Sequence, residues 1–539
     1  MKKLIITITI IIFSACTDIS VDPPSFGDDE TTVFGDFDGY QAYIAKVYAS
    51  LTLTGQQGAA GQPDLTVIND EGFSSYLRVW WKAQELTTDE AIIAWQDAGI
   101  RDLHNHAWSS DNQFVRVLYY RIFYTISLAN DFIRVSENLP EGLTNDEIAE
   151  IDRFVAEARF IRAFAYWHAL DHFKNVILIT SITSDLPSQE EPSDIFDFLI
   201  TELDEIEDDL FSAGQGNHPY GRLDQGAVWM LKAKLYLNSE VYTGISRYSD
   251  AIAEANKVIS SGVYSIHDTY QELFMGDNHL RTNEIIWPIV HDGLVSQTWG
   301  GTTTIIRGGI GGAMMDDLQG GVDFPDEALQ EYGVPSGWEG YRTTSALVEK
   351  FPNAATDPNG NSPDGRAIFF TEGQSLEIDN VAEFEDGYAV PKFNNIESTT
   401  GQRAPGVDQV STDYPVFRLS EAYLILAEAE LQVNGSISAS TLLFLNELRQ
   451  RAYGDNSGDI AISDVTLDWI LDERARELYL EATRRTDLVR HGKFTGGDYI
   501  WPWKGGVQEG VSTSSHLNIF PIPASDLIAN PKLEQNEGY

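Results

Sequence analysis

The chain has almost no cysteine and little positive charge. It holds one cysteine, Cys16, in 539 residues. A single thiol cannot form an internal disulfide, a Cys-x-x-Cys redox pair or a thiolate metal cluster. Its 36 Lys and Arg residues stand against 82 Asp and Glu, a formal net charge of −46. Because binding to a phosphate backbone needs clustered Lys and Arg, we expect no nucleic-acid partner, and the acid excess mainly indicates solubility.

Common catalytic and cofactor-binding motifs are also missing. The sequence has no GxxxxGK[ST] phosphate loop, no HExxH and no GxSxG. The Gly-rich segment 308–321 has no strand-then-helix setting, so it is typical of a loop. His104 and His106 have no third ligand nearby, and segment 357–365 departs from a calcium loop. The sequence predicts no metal and no cofactor, although 82 acidic residues leave a glycosidase-like carboxylate pair possible in principle.

One apolar run stands at the start of the chain, at residues 4–13, after Lys2 and Lys3. A membrane-spanning helix needs about 20 apolar residues, so this run is too short to span a bilayer. Basic residues, a short apolar run and the small pair Ser14-Ala15 are the parts of a secretion signal. We predict that residues 1–15 are a signal peptide.

Cys16 follows that signal directly and resembles the acylated cysteine of the bacterial lipobox. Acylation would tether the mature chain to a membrane through its new amino terminus. The alternative is an unpaired thiol beside an ordinary cleavage site. Residues 16–35 are rich in Asp, Pro, Gly, Ser and Thr, which predicts a flexible spacer between lipid and domain.

Helical periodicity dominates most of the remaining chain. The clearest helix covers 145–173, where Asn145 or Asp146 is the expected cap. Segments 222–242 and 248–266 present small and apolar residues to each other and resemble a tetratricopeptide helix pair, with Gly262 as a C-terminal cap. The charge-rich segment 467–494 predicts a helix whose polar side is solvated or ion-paired.

Residues 271–410 differ from these helices, because they are rich in Gly, Pro, Asn, Asp and Thr. Only short β-like runs interrupt them, NEIIWPIV at 283–290 and TTTIIRGG at 302–309. We predict a mainly α fold with one domain at 36–539. Tetratricopeptide-like helix pairs form a superhelical frame at 36–270 and 411–539, and 271–410 is a loop-rich insertion.

Tryptophans in polar loops are the main candidate binding groups. An indole offers a flat apolar face to a sugar ring and fixes only two torsions when it binds. For each tryptophan the alternative is packing in the core. The tryptophans considered are Trp80, Trp81, Trp95, Trp108, Trp287, Trp299, Trp338, Trp501 and Trp503.

Several blocks, in order, resemble the SusD/RagB family of outer-membrane nutrient-binding lipoproteins from Bacteroidetes. The resemblance covers nearly the whole chain. The blocks include ELTTDEAI at 85–92, AEARFIRAFAYWHALDHFKNV at 156–176, GRLDQGAVWMLKAKLYL at 221–237, NEIIWPI at 283–289, YPVFRLSEAYLILAEAE at 414–430, DERARELYLEATRRTDLVRHGKF at 472–494 and IFPIPASDLIANPKLEQNEGY at 519–539.

The resemblance implies a non-enzymatic protein of polysaccharide utilisation and nutrient uptake. It would be lipid-anchored at the outer membrane and face the exterior. It would capture oligo- or polysaccharide for a SusC-like TonB-dependent transporter. Alternatives are a peptide receptor of the RagB type, a lipid-anchored glycosidase and a purely structural helical adaptor. The acidic balance favours a neutral glucan or fructan as ligand.

The family resemblance carries over a binding region rather than a residue pattern. That region is the surface around the Thr-Asp-Glu block plus loops of the insertion. It gives six candidates: Trp95 and Trp81 as stacking platforms, Asp70 as a hydroxyl acceptor, and Trp299, Arg366 and Tyr388 from the insertion. Charged pairs within the blocks, such as Glu473 and Arg474, or Arg159 and Arg162, suit buried ion pairs of the frame.

Overall fold

A computed structural model describes residues 30–181, 185–318, 331–406 and 408–539. The predicted signal peptide, Cys16 and the predicted spacer up to residue 29 lie outside the described residues, so the signal peptide, the acylation and the spacer all stay predictions. At the end of the expected spacer, Glu30–Val33 form a short helix, and the Phe34 ring lies 5.3 Å from that of Tyr40.

Helices make up most of the regular structure, as expected. They are α1 Glu30–Val33, α2 Phe37–Ala49, α3 Tyr76–Glu85, α4 Gln113–Val135, α5 Asn145–Phe173, α6 Pro192–Ile206, α7 Gln225–Leu237, α8 Ser239–Thr243, α9 Tyr248–Ser260, α10 Gly301–Gly308, α11 Ser345–Val348, α12 Leu419–Asn434, α13 Ala439–Tyr453, α14 Leu467–Leu478, α15 Arg484–Arg490 and α16 Ala524–Ala529. Across the described part of the chain, none of these helices is both long and apolar enough to cross a membrane.

Two short antiparallel ribbons contain the named strands of the described structure. Strand β1 (Ile92–Ile93) pairs with β3 (Tyr341–Arg342), with Ile93 opposite Tyr341. Strand β2 (Ile285–Ile289) pairs with β4 (Tyr414–Arg418) and contains an irregular register near Trp287. Each ribbon therefore joins distant parts of the sequence.

Helix α5 matches the predicted 145–173, but its cap is one residue earlier than expected. The Thr144 hydroxyl accepts from the Glu147 backbone N at 3.3 Å, and the Glu147 carboxylate accepts from the Thr144 backbone N at 2.7 Å. This reciprocal capping box satisfies two backbone donors, which Asn145 or Asp146 alone would not do. Helix α5 packs against α2, α4 and α6, and most of its second half is buried.

The expected tetratricopeptide-like pair is confirmed as α7 and α9, which pack against each other. Ala227 and Ala233 of α7 and Ala251 and Ala255 of α9 are fully buried. Gly262 has φ +71° just beyond α9, the left-handed conformation expected for a helix C-terminal glycine. Helix α9 also packs against α12, so the second half of the frame continues the first.

The charge-rich segment 467–494 contributes most of its acids and arginines to a buried network of ion pairs. Arg366 pairs with Glu473 at 2.9 Å and Glu477 at 3.1 Å, and Arg418 pairs with Glu477 at 2.9 Å. Burial alone would raise the pKa of Glu473, but the charges of Arg366, Arg476 and Arg449 lower it to about 2. The expected ion pairs are confirmed, and their charges are inside the protein. The single helix predicted over 467–494 is wrong, because the segment is divided into α14 and α15.

The Thr-Asp-Glu block also belongs to the frame. Asp89 pairs with Arg484 through two contacts of 2.7 Å, and both side chains are at most 1% exposed. Glu90 accepts from the backbone N of Leu480 at 3.0 Å, which holds Leu480 at φ +62°. This block locks α3 to the C-terminal helices and is too deeply buried to form a surface.

One of the two strands predicted in the insertion is wrong. The first forms β2, as expected, but 302–309 lies mostly in helix α10. Every residue of α10 is buried, and the helix packs against α3. Local β propensity of Thr and Ile was overridden by this tertiary packing, which the sequence pattern does not contain.

Candidate functional site

The β1–β3 ribbon brings two tryptophans together. Trp95 lies just after β1 and Trp338 just before β3, and the Ala94 backbone N donates to the Gly340 carbonyl at 2.9 Å. The Trp95 indole N–H donates to the Trp338 carbonyl at 2.7 Å, and their ring centroids are 6.3 Å apart. Two residues separated by 243 positions are thereby fixed side by side.

Trp299 joins them from the loop that enters α10. Its ring centroid lies 6.1 Å from that of Trp338, with the planes inclined by 52°. The planes of Trp95 and Trp338 are inclined by 51°. All three residues are partly exposed. We call Trp95, Trp299 and Trp338 the tryptophan platform.

Cations lie close to all three rings of the platform. Arg307 of α10 lies 4.7 Å from the Trp338 ring centre and 5.7 Å from that of Trp299. The same guanidinium donates to the Ser336 carbonyl at 3.0 Å, so it ties the Trp338 loop to α10. Contact between guanidinium and indole is favourable by about 0.5–2 kcal/mol.

Arg78 and Lys82 of α3 lie 5.8 and 5.7 Å from the Trp95 ring centre. Arg78 donates to the Trp299 carbonyl at 3.1 Å, which links two members of the platform. Lys82 is fully buried, and its Nζ has no hydrogen-bond partner among the described residues. Burial lowers the pKa of Lys82 well below its usual range, and the nearby charge of Arg78 lowers it further.

The platform borders an open depression of about 550 Å³ that contains Trp95 and Trp338. Gln96, Asp97 and Glu339 are exposed on its rim. These amide and carboxylate groups can accept hydrogen bonds from hydroxyl groups. The site thus combines flat apolar faces with exposed polar groups, the pattern expected for a sugar-binding surface.

Asp70 is exposed and caps a 3-10 turn at Glu71–Ser74, where its carboxylate accepts from the Gly72 backbone N at 2.9 Å. A methyl group on Gly72 would lie 3.1 Å from Asp70 Oδ1 and 3.2 Å from Trp299 Cβ. Asp70 and Trp299 therefore flank the same glycine. Of the six predicted residues, the structure gathers Trp95, Trp299 and Asp70 in one region.

The other three predicted site residues are buried, so the structure does not place their side chains on this surface. Trp81 is 0% exposed and donates to the Leu480 carbonyl at 3.0 Å. Arg366 is 0% exposed and serves the buried ion pairs described above. Tyr388 is 6% exposed and packs near Phe369, outside the platform. Neither Trp81 nor Tyr388 offers an exposed ring face on which a sugar could stack.

Sequence reasoning did not select Trp338, Arg78 or Arg307. Trp338 stands between Gly and Glu in a polar loop, the same kind of setting that singled out Trp299. That signal could have found it. No comparable signal exists for Arg78 and Arg307, because their role depends on which rings the fold places above them.

Among residues 30–181, 185–318, 331–406 and 408–539, no three His, Cys, Asp or Glu side chains are grouped to hold a metal ion. His104 and His106 are buried, and His106 Nε2 contacts the Thr87 carbonyl at 2.8 Å. Burial lowers the pKa of His104 to about 3 and that of His106 to about 4. Both imidazoles are parts of the core.

Packed helix pairs such as α7 and α9 define a tetratricopeptide-like helical class. Comparison with known proteins gives the family. The model of the SusD family matches residues 372–539. The starch-binding protein SusD of Bacteroides thetaiotaomicron is 34% identical, over 98% of this chain and 96% of that protein. The chain belongs to the SusD family, and the resemblance seen in the sequence is confirmed.

More distant relatives and solved structures agree on the fold. A SusD-like protein of Formosa agariphila, P2, is 23% identical over 81% of this chain and 83% of its own. A SusD homologue from Bacteroides thetaiotaomicron superposes with a TM-score of 0.71 at 16% identity, covering 95% of this chain and 98% of that one. Surface glycan-binding protein A of the same species, solved with laminarihexaose, gives 0.67 at 18% identity, covering 93% and 99%.

Proposed function

We propose that this protein is a non-catalytic, cell-surface glycan-binding protein and that the tryptophan platform is its glycan-binding surface. The observation that carries this proposal is three partly exposed tryptophans, with neighbouring ring centroids 6.1 and 6.3 Å apart, held by loops of the helical frame. A relative of 34% identity is a starch-binding protein, which supports a glucan as ligand.

The platform favours a neutral chain that curves. Successive indole planes are inclined by 51° and 52°, so sugar rings stacked on them would face different directions. A turning α-glucan meets this requirement better than a flat ribbon. The exposed carboxylates Asp97, Glu339 and Asp70 add negative charge around the site and disfavour polyanionic glycans.

The cellular setting is also part of the proposal. Acylated Cys16 would hold the protein at the outer membrane, facing the exterior, with residues 17–29 as tether. The captured chain would pass to a SusC-like TonB-dependent transporter. Loop-borne aromatic faces suit this role, because binding must be weak enough for release, about −8 to −4 kcal/mol for micromolar to millimolar Kd.

Isothermal titration calorimetry with a panel of soluble chains tests the ligand class. The panel holds maltoheptaose, laminarihexaose, cellohexaose, an inulin fructan and a mixed peptide pool. We expect maltoheptaose to bind in the micromolar to millimolar range and the peptide pool to give no heat. Heat from peptides alone would replace the glycan proposal with a peptide receptor.

A matched set of variants tests the surface. Trp95→Ala with Trp338→Ala should abolish measurable binding, whereas Trp469→Ala should leave it unchanged. Trp469 is also partly exposed but lies on α14, outside the platform. An equal loss of binding in the double variant and in Trp469→Ala, or unchanged binding in both, would contradict the assignment of the platform. Chain length is followed by chromatography after long incubation, and shortened products would establish a glycosidase instead.

A further inference from the structure

A second cavity, of about 650 Å³, opens between the end of α5, helices α8 and α15, and the C-terminal segment. Its volume lies within the range of about 300–1,000 Å³ that is usual for small-molecule sites. It shares no lining residue with the tryptophan platform or its depression. We call it the C-terminal cavity.

Arg485 is the principal charged group in the wall of this cavity. Arg485 is 1% exposed, and its guanidinium lies 4.6 Å from the Phe520 ring centre and 5.1 Å from that of Phe494. These rings fix the plane of the guanidinium without neutralising it. Within the described residues, Arg485 forms no ion pair with a carboxylate.

The hydrogen bonds of Arg485 are also incomplete. Its Nη2 donates to the Asn518 carbonyl at 2.7 Å, while Nε is buried with no partner in the described part of the chain. A buried guanidinium normally fills its donors with a carboxylate, as the arginines of the ion-pair network do. Arg485 therefore retains capacity for an anion.

Asp171, an acid of the same cavity wall, already has hydrogen-bond partners. Asp171 accepts from the Tyr242 hydroxyl at 2.7 Å, the Thr486 hydroxyl at 2.7 Å and the Gln84 amide at 3.2 Å. A carboxylate has about four lone-pair sites that accept hydrogen bonds, and these three donors occupy most of them. Asp171 is thus held in place by neutral donors rather than by Arg485.

Two further groups favour a negatively charged and hydroxylated ligand. Lys174 is partly exposed in the cavity wall, at a strained backbone position with φ +60° and ψ −71°. The remaining lining is mostly amides and hydroxyls, which can bond to sugar hydroxyls; it includes Asn175, Asn238, Ser514, Ser515 and Asn518. Glu537, the other acid of the lining, is exposed at the outer side.

We propose that the C-terminal cavity binds a small polyhydroxylated carboxylate of the hexuronate type, with the carboxylate on Arg485 and the hydroxyl groups on the surrounding amides and hydroxyls. The ligand would be recognised separately from the neutral chain on the platform. This site therefore does not depend on the function proposed above.

The test uses sodium D-glucuronate and D-glucose, which share a ring but differ in the carboxylate. Saturation-transfer NMR and calorimetry on the purified protein should show saturable glucuronate binding and at least tenfold weaker glucose binding. Arg485→Gln should weaken glucuronate binding more than tenfold. Because Arg485 is buried, circular dichroism must show that this variant is folded.

A blocking variant decides the result even if Arg485→Gln does not fold. Ser515 is exposed and lines the cavity, so Ser515→Trp should abolish glucuronate binding; Ser512→Trp, an exposed position three residues earlier outside the lining, should not. Trp338→Ala should also retain it. No saturation at about 50 mM glucuronate, well above a millimolar Kd, would overturn the proposal, as would equal glucose binding or an unaffected Ser515→Trp.

Discussion

Gly340 is the position where a single methyl group should disable the platform without touching a ligand. A Cβ at Gly340 would lie 2.6, 2.8 and 2.9 Å from Cε2, Cζ2 and Nε1 of Trp95. Carbon atoms in ordinary contact stay about 3.5–4.0 Å apart, so the indole must move by about 1 Å in Gly340→Ala. That movement also breaks the Trp95–Trp338 hydrogen bond of 2.7 Å.

The expected magnitudes separate stability from binding. The lost hydrogen bond should lower the free energy of unfolding by about 0.5–1.5 kcal/mol. A stacked sugar ring covering about a third of the 150–250 Å² that an aromatic side chain can bury contributes about 1.5 kcal/mol, plus about 0.5–1.5 for ring geometry. Losing 2–3 kcal/mol corresponds to roughly 30- to 150-fold weaker binding.

Calorimetry with maltoheptaose and urea denaturation measure the two effects on the same samples. Gly216→Ala is the matched control, because a Cβ there has its nearest atom at 3.7 Å. If Gly340→Ala binds as tightly as the unchanged protein, Trp95 does not stack on the ligand in the orientation described here. If Gly340→Ala loses binding only in proportion to its unfolded fraction, the loss reflects stability rather than a displaced indole. The affinity of folded Trp95→Ala for maltoheptaose then decides whether Trp95 stacks on the ligand.

Three further predictions concern the frame. Trp81→Phe should lower the free energy of unfolding by about 1–3 kcal/mol, because the Leu480 carbonyl loses its 3.0 Å indole donor and keeps only the 3.5 Å contact with the Tyr414 hydroxyl. Glycan affinity should stay unchanged; urea midpoints and calorimetry check both. Arg366→Met leaves three buried carboxylates without this cation and should cost about 3–5 kcal/mol by the same urea assay. Burial raises the pKa of Asp413 to about 7, so the free energy of unfolding should fall as pH rises from about 4 to about 7 and then level off. Asp413→Asn should remove this decrease, which is on the order of a few kcal/mol in urea titrations across pH. An unchanged decrease in the variant would assign it to other groups.

The sequence predicted the frame better than the surface. Helix α5 matches its predicted bounds, because a long run with period 3.6 and a capping residue is a local signal. The strand predicted at 302–309 is wrong because the β-branched residues of this run are buried in a helix against α3, which lies more than 200 residues away in the sequence. Local patterns determine local structure, and they fail where distant packing decides.

The candidate site shows the same division. Trp95 and Trp299 could be selected from their polar loops, whereas Trp81 stands beside Trp80 in a helix and packs behind Tyr341 at 4.7 Å. Arg366 stands in the loop-rich insertion, yet its side chain pairs with the buried carboxylates of Asp364, Glu473 and Glu477. Exposure of one side chain depends on the elements packed around it, and a single sequence does not contain that information.

This division explains why family membership and ligand identity are separate questions for this chain. The blocks that carry the resemblance hold buried pairs such as Asp89–Arg484, which fix α3 against α15 and can persist whatever ligand is bound. The platform depends instead on three loops that the β1–β3 ribbon and α10 bring together. Exchanging loop residues can therefore change the sugar recognised at little cost to the frame, so the ligand must be established on the platform itself.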